Sequence, residues 1–447
     1  MAESLQRDDG GRIIRLQVIL FLFSLAVFLA APVIQASDSR YTILLSECLL
    51  HHHTFALDTY SVPQPHIPEF PDSFKEASVY QLIRARGHTT YYYPQAGSIL
   101  SLPFVAVANA FGLSAATPAG ALDFRGEVIL ERTIASLLMA TLTCVIFHMA
   151  SIMLPTQWSL VVALGAALGT QILSTASRGL WSQTWQILVL GALVDALLSH
   201  EHRGTRAHPL WIATLVAWVY FTRPTGSIAI VTVSIYVFLF LRENFITYAA
   251  ALTVWLAGFV GYSWSVFGTT IPPYFFANRF KFDGAAVALF GNLASPARGL
   301  FVYVPAVLFA IYLVARYWPT LEHKRLAILG FANIGPHAIV ISTHRGWWAG
   351  LCYGARLFTD VMPWFVLLAI LGLDAMRRTG DIRSRRMELA AGFLLLAISV
   401  AINARGAFSF AGMDWVEEKP LVGQYPAQIF DWRYPQFMAG LIAPPKD

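Results

Sequence analysis

The sequence predicts an all-α polytopic membrane protein, and three features support that fold class. Of the 447 residues, 56% are hydrophobic and 13% are charged, whereas a soluble domain carries about 25% charged residues. The apolar residues form long continuous runs, which favours helices over the alternating pattern of a β-barrel. The net charge of +5 does not indicate a nucleic-acid partner, because most basic residues fall in short loops.

About 11 apolar segments approach the ~20 residues that a membrane-crossing helix needs. The first is predicted to be an uncleaved anchor, since it exceeds the ~7–15 residues of a signal-peptide core. Small residues at Ala30, Ala31 and Ala36 nevertheless leave cleavage open. The predicted spans are 15–36, 130–153, 158–176, 184–200, 209–222, 225–241, 246–267, 300–316, 325–343, 358–376 and 388–404.

Basic residues set the predicted orientation, with the N-terminus in the cytoplasm. The short outer loops then hold only Arg178, Arg223, Arg345 and Arg356. The inner segments hold Arg7, Arg12, Arg15, Arg203, Arg206, Arg242, Arg316, Lys324, Arg325, Arg377, Arg378, Arg383, Arg385 and Arg386. The inner loops show no cluster of acids, His or Gly that resembles a site, so we expect them to serve orientation and lipid anchoring.

Three large segments face outward in this topology, namely 37–129, 268–299 and 405–447. Within the first, Ala96–Phe111 is predicted to lie in the membrane interface as a helix containing Pro103, because a further span would invert every later loop. We therefore divide the chain into a membrane domain, 1–404, and an extracytoplasmic tail, 405–447, packed on the outer face.

Asp38 is the candidate catalytic residue. It follows the first span directly, within Ser37–Tyr41, at the start of the first outer segment. An acid held at a membrane exit is costly and therefore indicates function. On position alone, Asp38 could equally be a solvated loop carboxylate.

Arginines on the outer side are the candidate ligands for an anion. Any one could be an anchor that extends to lipid headgroups, and nearby Trp side chains are typical of the interfacial aromatic belt. Together they indicate an anionic ligand, since the guanidinium fork suits phosphate. Tyr93, Trp348 and Tyr353 are further candidates for substrate binding on this side. The arginines are Arg178, Arg223, Arg298, Arg345 and Arg356.

We predict no metal and no cofactor. His51, His52 and His53 are adjacent, so on a helix they point in different directions, whereas ligand pairs favour i, i+4 spacing. Cys48, Cys144 and Cys352 lack metal spacing. A Cys48–Cys352 disulfide stays open, although two half-buried thiols are the preferred interpretation.

Six segments together carry a resemblance to a known family. The chain resembles the bacterial GT-C glycosyltransferases, the group of protein O-mannosyltransferases and the lipid A aminoarabinose transferase. The similarity extends over nearly the whole chain. The segments are Tyr93–Gly97, Ser177–Trp181, Thr222–Thr225, Ser295–Tyr303, Trp348–Arg356 followed by Pro363, and Phe430–Phe437.

The resemblance implies a GT-C-like bundle with amphipathic juxtamembrane helices in the first outer loop. Members of the group take a sugar from a polyprenyl-phosphate carrier at the outer face and transfer it with inversion to an acceptor. An Asp at the start of the first outer loop is their base, and Asp38 holds that position. Many members have a second acid next to it, where this chain has Ser39, which disfavours a metal.

By this resemblance, Arg223, Arg345 and Arg356 would bind the carrier phosphate, with Arg178 next. The expected partners are a polyprenyl-phosphate-linked sugar, membrane lipids and a glycan, lipid or protein acceptor. The expected location is the inner membrane of a bacterium, with an extracytoplasmic active site.

Two other classes of function stay open. A transporter or flippase of a lipid-linked anion could use the same arginines. No acid lies in the middle of a predicted span, Asp195 being near an inner end, and internal repeats typical of many transporters are missing. A non-catalytic subunit of an envelope-assembly pathway is the second alternative, because Ser39 replaces an acid.

Overall fold

The computed structural model describes residues 2–63, 79–204, 208–276, 280–379, 382–417 and 426–444. The fold is mostly helical, with one small sheet. Arg206 and parts of the three predicted outer segments, 64–78, 277–279, 418–425 and 445–447, lie outside the described residues.

Sixteen α-helices and one β-hairpin make up the described part of the chain. In the hairpin, Leu82 pairs with Tyr91 in antiparallel register. The helices and strands are α1 (Ala2–Ala30), α2 (Thr42–His52), β1 (Leu82–Ala85), β2 (His88–Tyr91), α3 (Ala96–Ala110), α4 (Phe124–Ser151), α5 (Thr156–Gly169), α6 (Ser182–Arg203), α7 (Pro209–Thr222), α8 (Ser227–Phe240), α9 (Arg242–Phe267), α10 (Ala285–Ala294), α11 (Leu300–Tyr303), α12 (Ala306–Arg316), α13 (Lys324–Ser342), α14 (Met362–Arg378), α15 (Ile382–Phe408) and α16 (Ala411–Glu417).

Local sequence signals set several helix ends. The Asp123 side chain accepts hydrogen bonds from the first backbone N–H groups of α4, which makes it an N-cap. Gly204 ends α6 and Gly268 ends α9, both in the left-handed conformation that glycine adopts without strain. Pro209 begins α7, where its missing N–H costs nothing.

Six helices in the described residues are long and apolar enough to cross a membrane. They overlap the predicted spans 15–36, 130–153, 246–267, 325–343, 358–376 and 388–404, and lie at Ile13–Ala30, Phe124–Ser151, Arg242–Phe267, Lys324–Ser342, Arg356–Arg378 and Arg385–Phe408. The predicted count of about 11 is not confirmed.

The other predicted spans form shorter or interrupted helices. A π-helical turn at Ile172–Ala176 follows α5, so 158–176 is not continuous. Pro224 separates α7 from α8, and Pro305 separates α11 from α12. The predicted span 184–200 lies within α6, which is long but is not among the six.

The helices form a bundle with buried and outward-facing members. In the most apolar stretch of α14, 89% of the residues are buried, and in that of α4, 67% are buried. These two helices therefore lie at the centre of the bundle. The corresponding share is 17% in α1, α9 and α15. These three helices present apolar surface outward, as expected of a protein surrounded by lipid.

The predicted interfacial segment Ala96–Phe111 forms α3, which contains Pro103 and packs against α2. The β-hairpin in the same outer segment was not predicted. The described part of the tail packs on two loops, since Trp415, Ile429 and Tyr434 form a small apolar cluster with Ala297 and the Trp347 and Trp348 side chains.

Candidate active site

The backbone around Asp38 is held from several sides. The chain between α1 and α2 is extended, and Val33 N–H donates to the Ala407 carbonyl while Gln35 N–H donates to the Arg178 carbonyl. The first N–H groups of α2 donate to the carboxylate of Glu127 on α4, at 2.9 Å each. Asp38 thus has a defined position between α1, α4 and the hairpin.

Asp38 contacts Arg356 although 318 residues separate them. Arg356 Nη2 donates to Asp38 Oδ2 at 2.7 Å, and the Tyr93 hydroxyl donates to Oδ1 at 3.0 Å. The Tyr91 hydroxyl donates to the backbone carbonyl of Asp38 at 2.6 Å. The Asp38 side chain is still 24% exposed, so a ligand can reach it.

Arg356 is fixed by its surroundings. Its guanidinium carbon lies 3.4 Å from the centre of the Trp181 ring, a cation–π contact. Nε donates to Gln183 Oε1 at 3.2 Å, and Gln183 Nε2 donates back to the Arg356 carbonyl. The arginine therefore presents one defined edge toward Asp38.

Arg223 forms a second ion pair beside the first. Its Nε lies 2.5 Å from Asp360 Oδ2, and its Nη1 donates to Ser182 Oγ at 2.9 Å. Thr225 also donates to Asp360 Oδ2. Asp360 and Arg356 share the 3₁₀ turn Arg356–Val361, so this turn places both ion pairs. The sequence did not single out Asp360.

Tyrosine rings cover Asp38. The Tyr93 ring centre lies 5.0 Å from that of Tyr274, 5.6 Å from that of Tyr92 and 6.4 Å from that of Tyr80. Burial raises the pKa of the Tyr93 phenol well above its usual range, and the negative charge of Asp38 adds to the shift. Tyr93 therefore keeps its proton and donates to Asp38.

Two residues predicted to bind substrate are buried and bonded to the protein backbone. Arg178 is fully buried and donates to the carbonyls of Phe28 and Ala31 at the C-terminus of α1, where a cation is stabilising. Tyr353 is buried, and its hydroxyl donates to the Ile402 carbonyl. Gly406 lies against its ring, with no room for a side chain.

The two remaining predicted residues lie on the loop that leads to Arg356. Arg345 is exposed. Trp348 is half-buried, and its ring packs on Trp347 in the cluster formed with the tail. Of the predicted residues, the structure therefore brings together Asp38, Arg356 and Tyr93, while Arg223 bonds Asp360 on the turn that begins at Arg356.

The loop before Arg356 is held by Gln436 from the tail. The Gln436 side chain accepts from Gly354 N–H at 3.1 Å and from Arg298 Nη1 at 2.7 Å. It donates to the carbonyls of Cys352 and Gly412. Arg298 in turn donates to the Trp348 carbonyl, which gives this predicted anion ligand a structural part. The thiols of Cys48 and Cys352 are both free and buried.

The chain is thus of the class of helical proteins whose apolar helices suit a membrane, with an accessible Asp–Arg pair under a tyrosine cover. No protein-family model matches this chain, and no curated protein is significantly similar to it.

Proposed function

We propose that the protein is a membrane glycosyltransferase that moves a sugar from a polyprenyl-phosphate carrier to a hydroxyl acceptor, with Asp38 as general base. The observation that carries the proposal is the 2.7 Å contact between a partly exposed carboxylate and an arginine. A base and a phosphate ligand must flank the same anomeric carbon, and these two groups are neighbours.

Asp38 has the chemistry of a base. Its carboxylate accepts from Arg356 and Tyr93 and has further lone pairs on its exposed side. An acceptor hydroxyl within hydrogen-bond reach could transfer its proton there as its oxygen attacks the sugar. The second carboxylate nearby, Asp360, is fully buried against Arg223 and is not available for this step.

Arg356 is the preferred ligand of the leaving phosphate. Trp181 and Gln183 orient the guanidinium, so binding a phosphate requires little further ordering. Negative charge on the carrier phosphate grows as the bond to the sugar breaks. An arginine placed there binds the transition state more strongly than the ground state, which is the condition for catalysis.

The direct contact between Asp38 and Arg356 is then the resting state. At 2.7 Å no sugar fits between the two groups, whereas inversion needs the base and the leaving group on opposite faces of the anomeric carbon. Donor binding must therefore separate the pair, with the phosphate replacing Asp38 as the partner of Arg356.

The tyrosines supply a surface for the sugar. Tyr93 connects this surface to the base, because its ring contacts Tyr274 and its hydroxyl bonds Asp38. Membrane lipids, the inner membrane and an extracytoplasmic site belong to the same proposal. The six long apolar helices support a membrane location.

Asp38→Asn tests the proposal. The amide keeps the shape but cannot take the proton, so transfer should fall by about 10²–10⁴-fold, the usual contribution of a general base. The assay measures sugar transfer from radiolabelled polyprenyl-phosphate sugars in membranes that contain the protein. Asp58→Asn is the matched control, since Asp58 is an exposed carboxylate of the same outer segment bonded to His88.

The control should keep full transfer. Equal transfer by wild type and Asp38→Asn would contradict the proposal. If the protein were a transporter or an assembly subunit, the substitution would not change sugar transfer in these membranes.

A further inference from the structure

Two histidines and a glutamate meet at the end of the bundle remote from Asp38. Helix α6 begins beside Gln183, which bonds Arg356, and ends at Arg203. At 1.5 Å rise per residue, His202 lies about 29 Å along the helix from Gln183. There, one nitrogen each of His202 and His323 and one oxygen of Glu322 lie within 4.8 Å of one another.

The spacing of these atoms suits a metal ion. His202 Nδ1 lies 3.0 Å from His323 Nε2, and Glu322 Oε2 lies 4.0 and 3.9 Å from these two nitrogens. Ligands bound tetrahedrally at about 2.0–2.1 Å are roughly 3.3 Å apart. Small side-chain adjustments would therefore bring the three atoms onto one ion.

The glutamate is oriented for binding. Glu322 Oε1 accepts from Arg378 Nη1 at 2.5 Å, which leaves Oε2 toward the histidines. Arg378 also bonds Asp374, so a second carboxylate shares its charge. The Glu322 side chain is 46% exposed, which leaves the atoms accessible to an ion from solution.

A carboxylate also lies near the other ring nitrogen of His323, slightly beyond hydrogen-bond length. His323 Nδ1 lies 3.7 Å from Glu201 Oε2, and the other oxygen of Glu201 accepts from the Tyr236 hydroxyl. A carboxylate on the far nitrogen fixes the tautomer of a metal-bound histidine and raises its basicity. His323 adopts a left-handed backbone conformation, φ +50°, at the position that precedes α13.

We propose that His202, Glu322 and His323 bind one divalent transition-metal ion of the Zn²⁺ type, which joins the end of α6 to the start of α13. Two imidazoles and a carboxylate are ligands that Zn²⁺ accepts. Water would take the fourth position. The sequence analysis predicted no metal and no site among the inner loops, and this proposal departs from both expectations.

Metal titration of the tag-free, full-length protein in detergent tests the site. After treatment with a chelator, Co²⁺ is added and its visible absorption is recorded, followed by displacement with Zn²⁺. Wild type should bind one equivalent, and His202→Ala, His323→Ala and Glu322→Gln should each lower the affinity at least tenfold. His88→Ala, which removes an exposed histidine of the outer segment, should bind as wild type does.

Thermal unfolding provides a second readout. Zn²⁺ should raise the melting temperature of wild type and of His88→Ala, but not of the three site variants, all of which should melt as wild type does without metal. The proposal is wrong if wild type binds no equivalent, or if the site variants bind Co²⁺ as tightly as His88→Ala does.

Discussion

Two Arg–Asp ion pairs share the turn Arg356–Val361, which supplies one residue to each pair, and their aspartates differ in exposure. In the pair Arg223–Asp360, the aspartate is fully buried and the arginine is 7% exposed. In the pair Arg356–Asp38, the arginine is equally buried but the aspartate is 24% exposed. Similar chemistry therefore has two different uses, since a buried carboxylate needs its cation permanently, whereas an exposed one can exchange it for a ligand.

The largest expected difference between the two ion pairs is in the loss of stability when the arginine of each is replaced by alanine. Arg223→Ala leaves the buried carboxylate of Asp360 without its cation, which should cost about 3–5 kcal/mol of stability. Arg356→Ala should cost less, because water reaches Asp38. The measurement is thermal unfolding in detergent followed by Trp fluorescence, and equal losses in the two variants would contradict the comparison.

Arg356→Lys tests how Arg356 acts. Lysine keeps the charge but loses the planar fork, the stacking on Trp181 and the bond to Gln183. We expect transfer to fall by about 10²-fold, close to the loss in Arg356→Ala, as for one lost donor to a developing anion. Full transfer by the lysine variant would mean that only a positive charge is needed.

Gln436→Ala should have a smaller effect on the rate. The change removes a buried amide that holds the loop before Arg356, and a small displacement of a positioned group lowers the rate. We expect roughly a tenfold loss of transfer per folded molecule. Trp432→Ala is the control, since Trp432 lies in the same tail and is 60% exposed. An unchanged rate in Gln436→Ala would show that Arg356 keeps its position without the tail.

The helical fold and the central pair could be predicted from the sequence. Continuous apolar runs indicate helices at any position, and the six helices that are long and apolar enough to cross a membrane all coincide with predicted spans. Asp38 was singled out because an acid at a membrane exit is costly, and Arg356 because arginines on the predicted outer side indicate an anionic ligand; the two side chains are in contact. The break at Pro224 was predicted from the sequence, whereas the breaks at Pro305 and at the π-turn are not resolved by composition.

The rest depends on tertiary contacts. Arg178 and Arg356 both lie in predicted short outer loops, and only the fold shows that Arg178 bonds the end of α1. His202 follows His200 and Glu201, and His323 follows Glu322, but only the fold shows that these two inner loops meet. Gln436 was noted in the sequence only as part of the segment Phe430–Phe437, which contributes to the family resemblance.

The most direct test measures carrier binding and sugar transfer on one preparation of Asp38→Asn. Asp38 occupies Arg356 in the resting state, so removing its charge should leave the affinity for polyprenyl phosphate unchanged or raise it, while transfer falls by about 10²–10⁴-fold. Binding is followed by the quenching of Trp fluorescence during titration with polyprenyl phosphate. Undiminished transfer, or a loss of carrier binding that matches the loss of transfer, would contradict the assignment of Asp38 as the base.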